Sequence, residues 1–210
     1  MNHFWRLLAA VMLCVLAVQA SAATLAEADR LVLLQGLCGP NPIPALDRVV
    51  EVGAGDDRVW STRIIEALGS GAIICSATRG PLVGSGDSLL NAATLAPSTL
   101  AAAPDESPLV PTIVLRRALA VAAAQLDLAS TDLKVRRAAA ALVNESFAAL
   151  NPALVKQALY AEVDINIRAD LALALAKRGL HSDVASERLK AIAAVAEVPS
   201  EAGRTLLTNS

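Results

Sequence analysis

The chain has 210 residues, 55% of them hydrophobic, and a formal charge of −2, one unit more negative if Arg6 is removed. That balance leaves no basic footprint for a nucleic acid. Alanine supplies much of the apolar content, and beyond the first 22 residues no charge-free run reaches membrane length, so a mature chain without a membrane span is expected.

Residues 1–22 combine Arg6, an apolar run from Leu7 to Val18 and the small-residue site Ala20-Ser21-Ala22, the pattern of a secretory signal peptide cleaved after Ala22 or Ala23. The alternative, an uncleaved anchor, needs roughly 20 apolar residues, and this run is shorter. Cys14 follows Leu13, which does not suit a lipoprotein site. Export places the mature chain in the periplasm or on the extracytoplasmic side of a membrane. Cys38 and Cys75 then lie in a compartment that permits disulfides, and they either pair with each other or stay as two buried thiols.

Residues 23–68 read as a first helical repeat region, with helices over 44–52 and 59–68. The turn Gly53-Ala-Gly-Asp-Asp57 between them offers a glycine stop and an aspartate cap. Residues 69–111 form a Gly-, Pro- and Ser-rich insertion. Within it Ala72-Ile-Ile-Cys-Ser76 and Leu82-Val83 flank Thr78-Arg-Gly-Pro81, which predicts a β-hairpin with strands confined to 72–84. An irregular crossing segment follows from 91 to 111.

Helical periodicity returns at Thr112 and continues through 112–210. Leu115, Leu119, Ala122 and Leu126 make one apolar face; Ser130, Thr131 and Asp132 interrupt it; Val135, Ala139 and Leu142 begin another. Asp132 is a natural N-cap. The run Asp132-Leu-Lys-Val-Arg136 recurs as Asp164-Ile-Asn-Ile-Arg168, thirty-two residues on, and more loosely from Asp183 to Arg188 with one extra residue. Asn151-Pro152 opens a further helix over 152–160.

A cap, two spacers, an inward aliphatic residue (Val135, Ile167) and an arginine that reaches a carboxylate or carbonyl describe a HEAT-like α-solenoid. The expected fold is therefore all-α with a small hairpin insertion. At the C-terminal end, Leu206 and Leu207 are expected to pack back as half of an incomplete repeat or to leave an exposed apolar end.

Leu115-Arg-Arg-Ala-Leu119 and Ser130-Thr-Asp-Leu-Lys-Val-Arg-Arg-Ala-Ala-Ala140 resemble motifs in the N-terminal extracytoplasmic extension of urea-type ABC transporter permeases, in the branched-chain amino-acid permease group. The resemblance is strongest over 112–178 and weaker over 44–90. It implies a role in urea or amide uptake, with a transporter subunit or substrate-binding protein as partner. Family members continue into a many-span permease, whereas this sequence ends at Ser210, so the resemblance implies the extension's role and not transport itself. Leu133 and Ile165 stand where the family usually has proline.

Catalytic chemistry is not expected. Of the two histidines, His3 falls in the leader and His181 stands alone in a turn. Asp56-Asp57 and Asp105-Glu106 are adjacent pairs that read as a cap and a loop charge. Gly69-Ser-Gly71 and Gly84-Ser-Gly86 lack the residues that complete a phosphate loop, so they read as turns. No cofactor or metal site is expected. Asn144-Glu-Ser146 matches a glycosylation acceptor but falls in a predicted helix. Arg116, Arg117 and Arg137, with Arg136, are candidates for an interaction ridge, set against a solvated edge. Trp60 and Tyr160 are expected in the core, with an interface role for either one that is exposed.

Overall fold

A computed structural model describes residues 24–76, 80–85, 88–98, 106 and 108–197. The leader with its cleavage site, Asp105 and the segment carrying Leu206 and Leu207 lie outside these residues. The described residues are 65% helical and include one small antiparallel sheet.

Helix α1 (Glu27–Leu37) has no counterpart among the expected elements. Glu27 and Asp29 stand in its first turn, at the positive end of the helix dipole, and Leu34 and Leu37 are buried. Helix α2 (Ile43–Gly53) begins with proline near its start and buries Leu46, Val49 and Val50. Helix α3 (Arg58–Ser70) buries Trp60, Ile64, Ile65 and Leu68 and ends at Gly71, whose φ of 71° is the left-handed stop that glycine provides. Gly53 does a different job from the expected stop. A Cβ there would lie 2.5 Å from the Cβ of Ser61, so the glycine lets α2 and α3 approach closely.

The insertion is a three-stranded sheet in the order β1 (Ile73–Ile74), β2 (Leu82–Ser85), β3 (Ser88–Asn91). The expected hairpin is present as β1 and β2, with Ile73 opposite Val83. Strand content runs on past residue 84, however, because β3 pairs with β2 and isolated bridges join Leu90 to Pro97 and Ile74 to Pro108. Side chains alternate across the sheet: Ile73 joins the main core, while Ile74, Leu82 and Leu89 form a small cluster of their own. Of the two readings open for the cysteines, the structure takes the bridge. Cys38 at the end of α1 and Cys75 just beyond β1 are bonded, with Cα atoms 5.8 Å apart.

Helices α4 (Ile113–Asp127), α5 (Leu133–Glu145), α6 (Pro152–Ala161), α7 (Ile165–Leu180) and α8 (Ala185–Glu197) follow, with a 3-10 turn at Phe147–Ala149. Helix α4 is shared by two cores. Leu115, Leu119, Ala122 and Leu126 face the first, built from α1, α2, α3 and the sheet. Ala124 and Leu128 face the second, built from α5, α6 and α7 around Val143, Val155, Ile167 and Leu171. Ala139 is buried as expected, and so is Ile167, but Val135 is 36% exposed. The reason is coverage: α7 packs against α5, α6 and α8, whereas α5 packs on α4 and α7 and leaves part of its first turn open.

Candidate functional site

Helices α4 to α7 begin in the same way, each with a side chain that accepts a bond from an orphan amide of the first turn. Thr112 accepts from Leu115 N, Asp132 from Lys134 N, Asn151 from Ala153 N, and Asp164 from Asn166 N and Ile167 N. Asp164 is thereby held below the usual carboxylate range, mainly by the Ile167 amide, with help from Asn166 and Arg137.

The arginine four residues after each of Asp132, Asp164 and Val184 closes a local ring over the helix entry. Arg136 Nη1 donates to Ser130 O at 3.0 Å, Arg168 Nη1 to Glu162 O at 3.4 Å, and Arg188 Nη1 to Ser182 O at 2.7 Å. The accepting residue also uses its side chain: Ser130 Oγ, Glu162 Oε1 and Ser182 Oγ each take the amide two residues on, from Asp132, Asp164 and Val184. The third copy is therefore built on Ser182, Val184 and Arg188. Asp183 is not its cap, and the extra residue in the expected alignment disappears.

Glu162 adds a link that the other copies lack. Its carboxylate takes Arg136 Nε at 2.8 Å and Nη2 at 3.4 Å, together with the amides of Val163 and Asp164. The bond from Arg136 outweighs burial and, with those amides, lowers the carboxyl from 4.5 to about 2. Arg136 thus ties α5 to the turn before α7, whereas Arg168 reaches only the Glu162 carbonyl at the entry of its own helix and ties no neighbouring unit.

Beside this pair lies a cleft of about 360 Å³, bounded by the end of α2, the start of α3, the end of α4 and α6. Leu126, Leu128, Leu154, Ala158 and Ala161 give it apolar walls. Arg58, Gln125, Gln157, Arg136 and Glu162 supply its polar groups. Gln125 is buried; its Oε1 accepts from Asn151 N at 2.6 Å and its Nε2 donates to Val121 O at 3.4 Å. The Arg58 guanidinium has neither a hydrogen bond nor an ion pair among the described residues. Its nearby charge is Asp127, whose carboxyl is raised mainly by burial, with Arg58 opposing.

The arginine ridge divides. Arg116 and Arg117 are the fourth and fifth residues of α4, and Arg137 is the fifth of α5. Because α5 turns back along α4, and a 15-residue helix is about 22 Å long, the two groups lie at opposite ends of the pair. Arg116 Nε donates to Pro111 O, and Arg137 lies 3.4 Å from Asp164 Oδ2. Trp60 is buried, with Nε1 donating to Ala92 O, whereas Tyr160 is 83% exposed. His181 is exposed, with Nδ1 2.8 Å from Lys177 O. Asn144 lies in α5, its Oδ1 accepting from Lys177 Nζ. Gly69 and Ser70 belong to the end of α3.

Asp57 departs from its expected role as a cap. It makes no bond to the first turn of α3; its carboxylate takes Leu25 N at 2.6 Å and pairs with Arg30. Arg30 also donates to Ala93 O and lies over the Trp60 ring, 5.2 Å from its centroid. Sequence reading did not pick out Arg30, Arg58, Gln125 or Glu162. Glu162 had a readable signal, since it precedes Asp164 by two residues as Ser130 precedes Asp132.

Among the described residues no group of three or more His, Cys, Asp or Glu side chains is placed to hold a metal, and no helix is long and apolar enough to cross a membrane. No family model, curated protein or solved structure matches the chain.

Proposed function

We propose that this chain is a non-enzymatic, extracytoplasmic helical-repeat module that acts by protein contact. It is associated with a urea- or amide-type ABC permease, where it presents a surface to the substrate-binding protein or stabilises the permease. The observation that carries the repeat reading is the recurrent ring from the arginine to the carbonyl six residues back, at 130–136, 162–168 and 182–188. The Cys38–Cys75 bridge supports export, because such bonds persist in oxidising compartments. Exposed Tyr160 and Val163, beside a partly apolar cleft, support a contact surface.

The test is capture from an envelope extract of the source organism on the immobilised mature chain, read by mass spectrometry beside a Tyr160→Ser variant. Enrichment of a permease or binding-protein subunit that the variant loses is the expected result. Capture of unrelated proteins alone would replace the transporter reading with that of a free-standing scaffold, which the cleft also suits.

A further inference from the structure

Among the described residues the cleft has one guanidinium without a hydrogen bond or ion pair, that of Arg58, and its carboxylate, Glu162, is already paired with Arg136. Glu162 already accepts four hydrogen bonds, from Arg136 Nε and Nη2 and from two backbone amides, so it has little capacity for a ligand. Arg136 is the other half of that pair. Arg58 makes no hydrogen bond or ion pair among the described residues and feels only the charge of nearby Asp127; it is the first residue of α3, before which Asp57 turns its carboxylate away toward Leu25 and Arg30. The positive end of a 13-residue helix therefore adds to the guanidinium at this corner.

We propose that the cleft binds the free C-terminal end of a polypeptide, with Arg58 holding the terminal carboxylate and an aliphatic last side chain lying against Leu126, Leu154 and Ala158. A single free guanidinium suits a planar monoanion taken through two parallel N–H bonds. A phosphate dianion would call on more donors than this corner holds, and the walls on the other side are apolar. The Gln157 amide is unpaired among the described residues, and Gln125 has one amide proton left over after its bond to Val121 O; these groups can bond the last peptide unit. At about 360 Å³ the cleft is at the small end of ligand pockets, which run from about 300 to 1,000 Å³, so it holds a chain end and not a long segment. The preceding residues would leave past Val163, which is both part of the cleft lining and 87% exposed.

This inference rests on the reading of the chain as a protein-contact module. Its test is fluorescence polarisation with the mature chain and an N-terminally labelled pentapeptide, Ala-Ala-Ala-Ala-Leu, as the free acid and as the C-terminal amide. The acid should bind saturably, and the amide at least about tenfold more weakly. Arg58→Gln should weaken the acid by a similar factor with an unchanged melting temperature, and Asp127→Asn, which removes the competing carboxylate, should tighten it. Equal binding of acid and amide, wild-type affinity in Arg58→Gln, no binding at about 1 mM peptide, or equally tight binding of 4-methylvalerate would each overturn the site. Envelope capture of a transporter subunit that Arg58→Gln leaves intact would reject this site and keep the contact-module reading. Peptide-acid binding without such capture would keep this site and reject the transporter association alone.

Discussion

Asp57 and Asp164 both stand immediately before a helix, yet the two regions use them in opposite ways. Asp164 has an extended backbone (ψ 122°) that lets its carboxylate fold over the amides of Asn166 and Ile167. At Asp57 ψ is 15°, and the side chain reaches instead to Leu25, thirty-two residues back in the chain, and to Arg30. The contrast extends to whole regions. Helices α1, α2 and α3 have no side-chain cap, and they are held by the disulfide, the Arg30–Asp57 pair and the shared core. Helices α4 to α7 each have a cap. Distant ties hold the first region and neighbouring residues hold the ends of the second.

The sharpest way to break this comparison is Asp57→Ala, which leaves Arg30 partly buried without its partner and should cost about 3–5 kcal/mol in a urea melt. A loss below about 1 kcal/mol, the size of a cap, would mean that Asp57 is only another helix start. Reducing the Cys38–Cys75 bridge, which closes a loop of sequence separation 37, should cost about 3–4 kcal/mol in the chain-entropy model. Hydrogen exchange should then show α1 and β1 losing protection while α6 and α7 keep theirs. A uniform loss would show that the two regions are not held independently.

The second region has one tie of its own to test. Because the Glu162 carboxyl falls from 4.5 to about 2 on folding, its stabilisation is complete above pH 4.5 and disappears as pH falls toward 2. Glu162→Gln should remove that part of the acid dependence and cost roughly 2 kcal/mol at neutral pH, after a discount for solvent screening. An unchanged acid transition would mean that other carboxyls set it. The smallest effect is Thr112→Ala, which removes the cap of α4 and should cost about 1 kcal/mol; a value as large as that of Asp57→Ala would erase the contrast.

What could be read from the sequence follows the same division. Asp132, Asn151-Pro152 and Asp164 gave the starts of α5, α6 and α7 because a cap is a signal carried within four residues. Helix α1 has alanine at its N-cap and no side-chain cap, so its start carries no such signal. The Arg30–Asp57 pair and the role of Gly53 depend on which helices meet, and spacing along one helix does not contain that. Val135 and Ile167 match in sequence but differ in burial, because position in a repeat does not say how many neighbours cover it. The cleft draws on five helices, and Arg58 and Gln125 become neighbours only when α3 and α4 pack.

The arginine rings carry a consequence for the order of folding. Each closes over six residues, so it can form as soon as one turn of helix exists, on the fast timescale of local structure. The bond from Arg30 to Ala93 spans 63 residues, and the Cys38–Cys75 bridge also awaits oxidation. On dilution of the reduced chain from denaturant, α5 and α7 gain their starts within the early phases. The first region reaches its final form in a later, oxidant-dependent phase, once Cys38 has found Cys75.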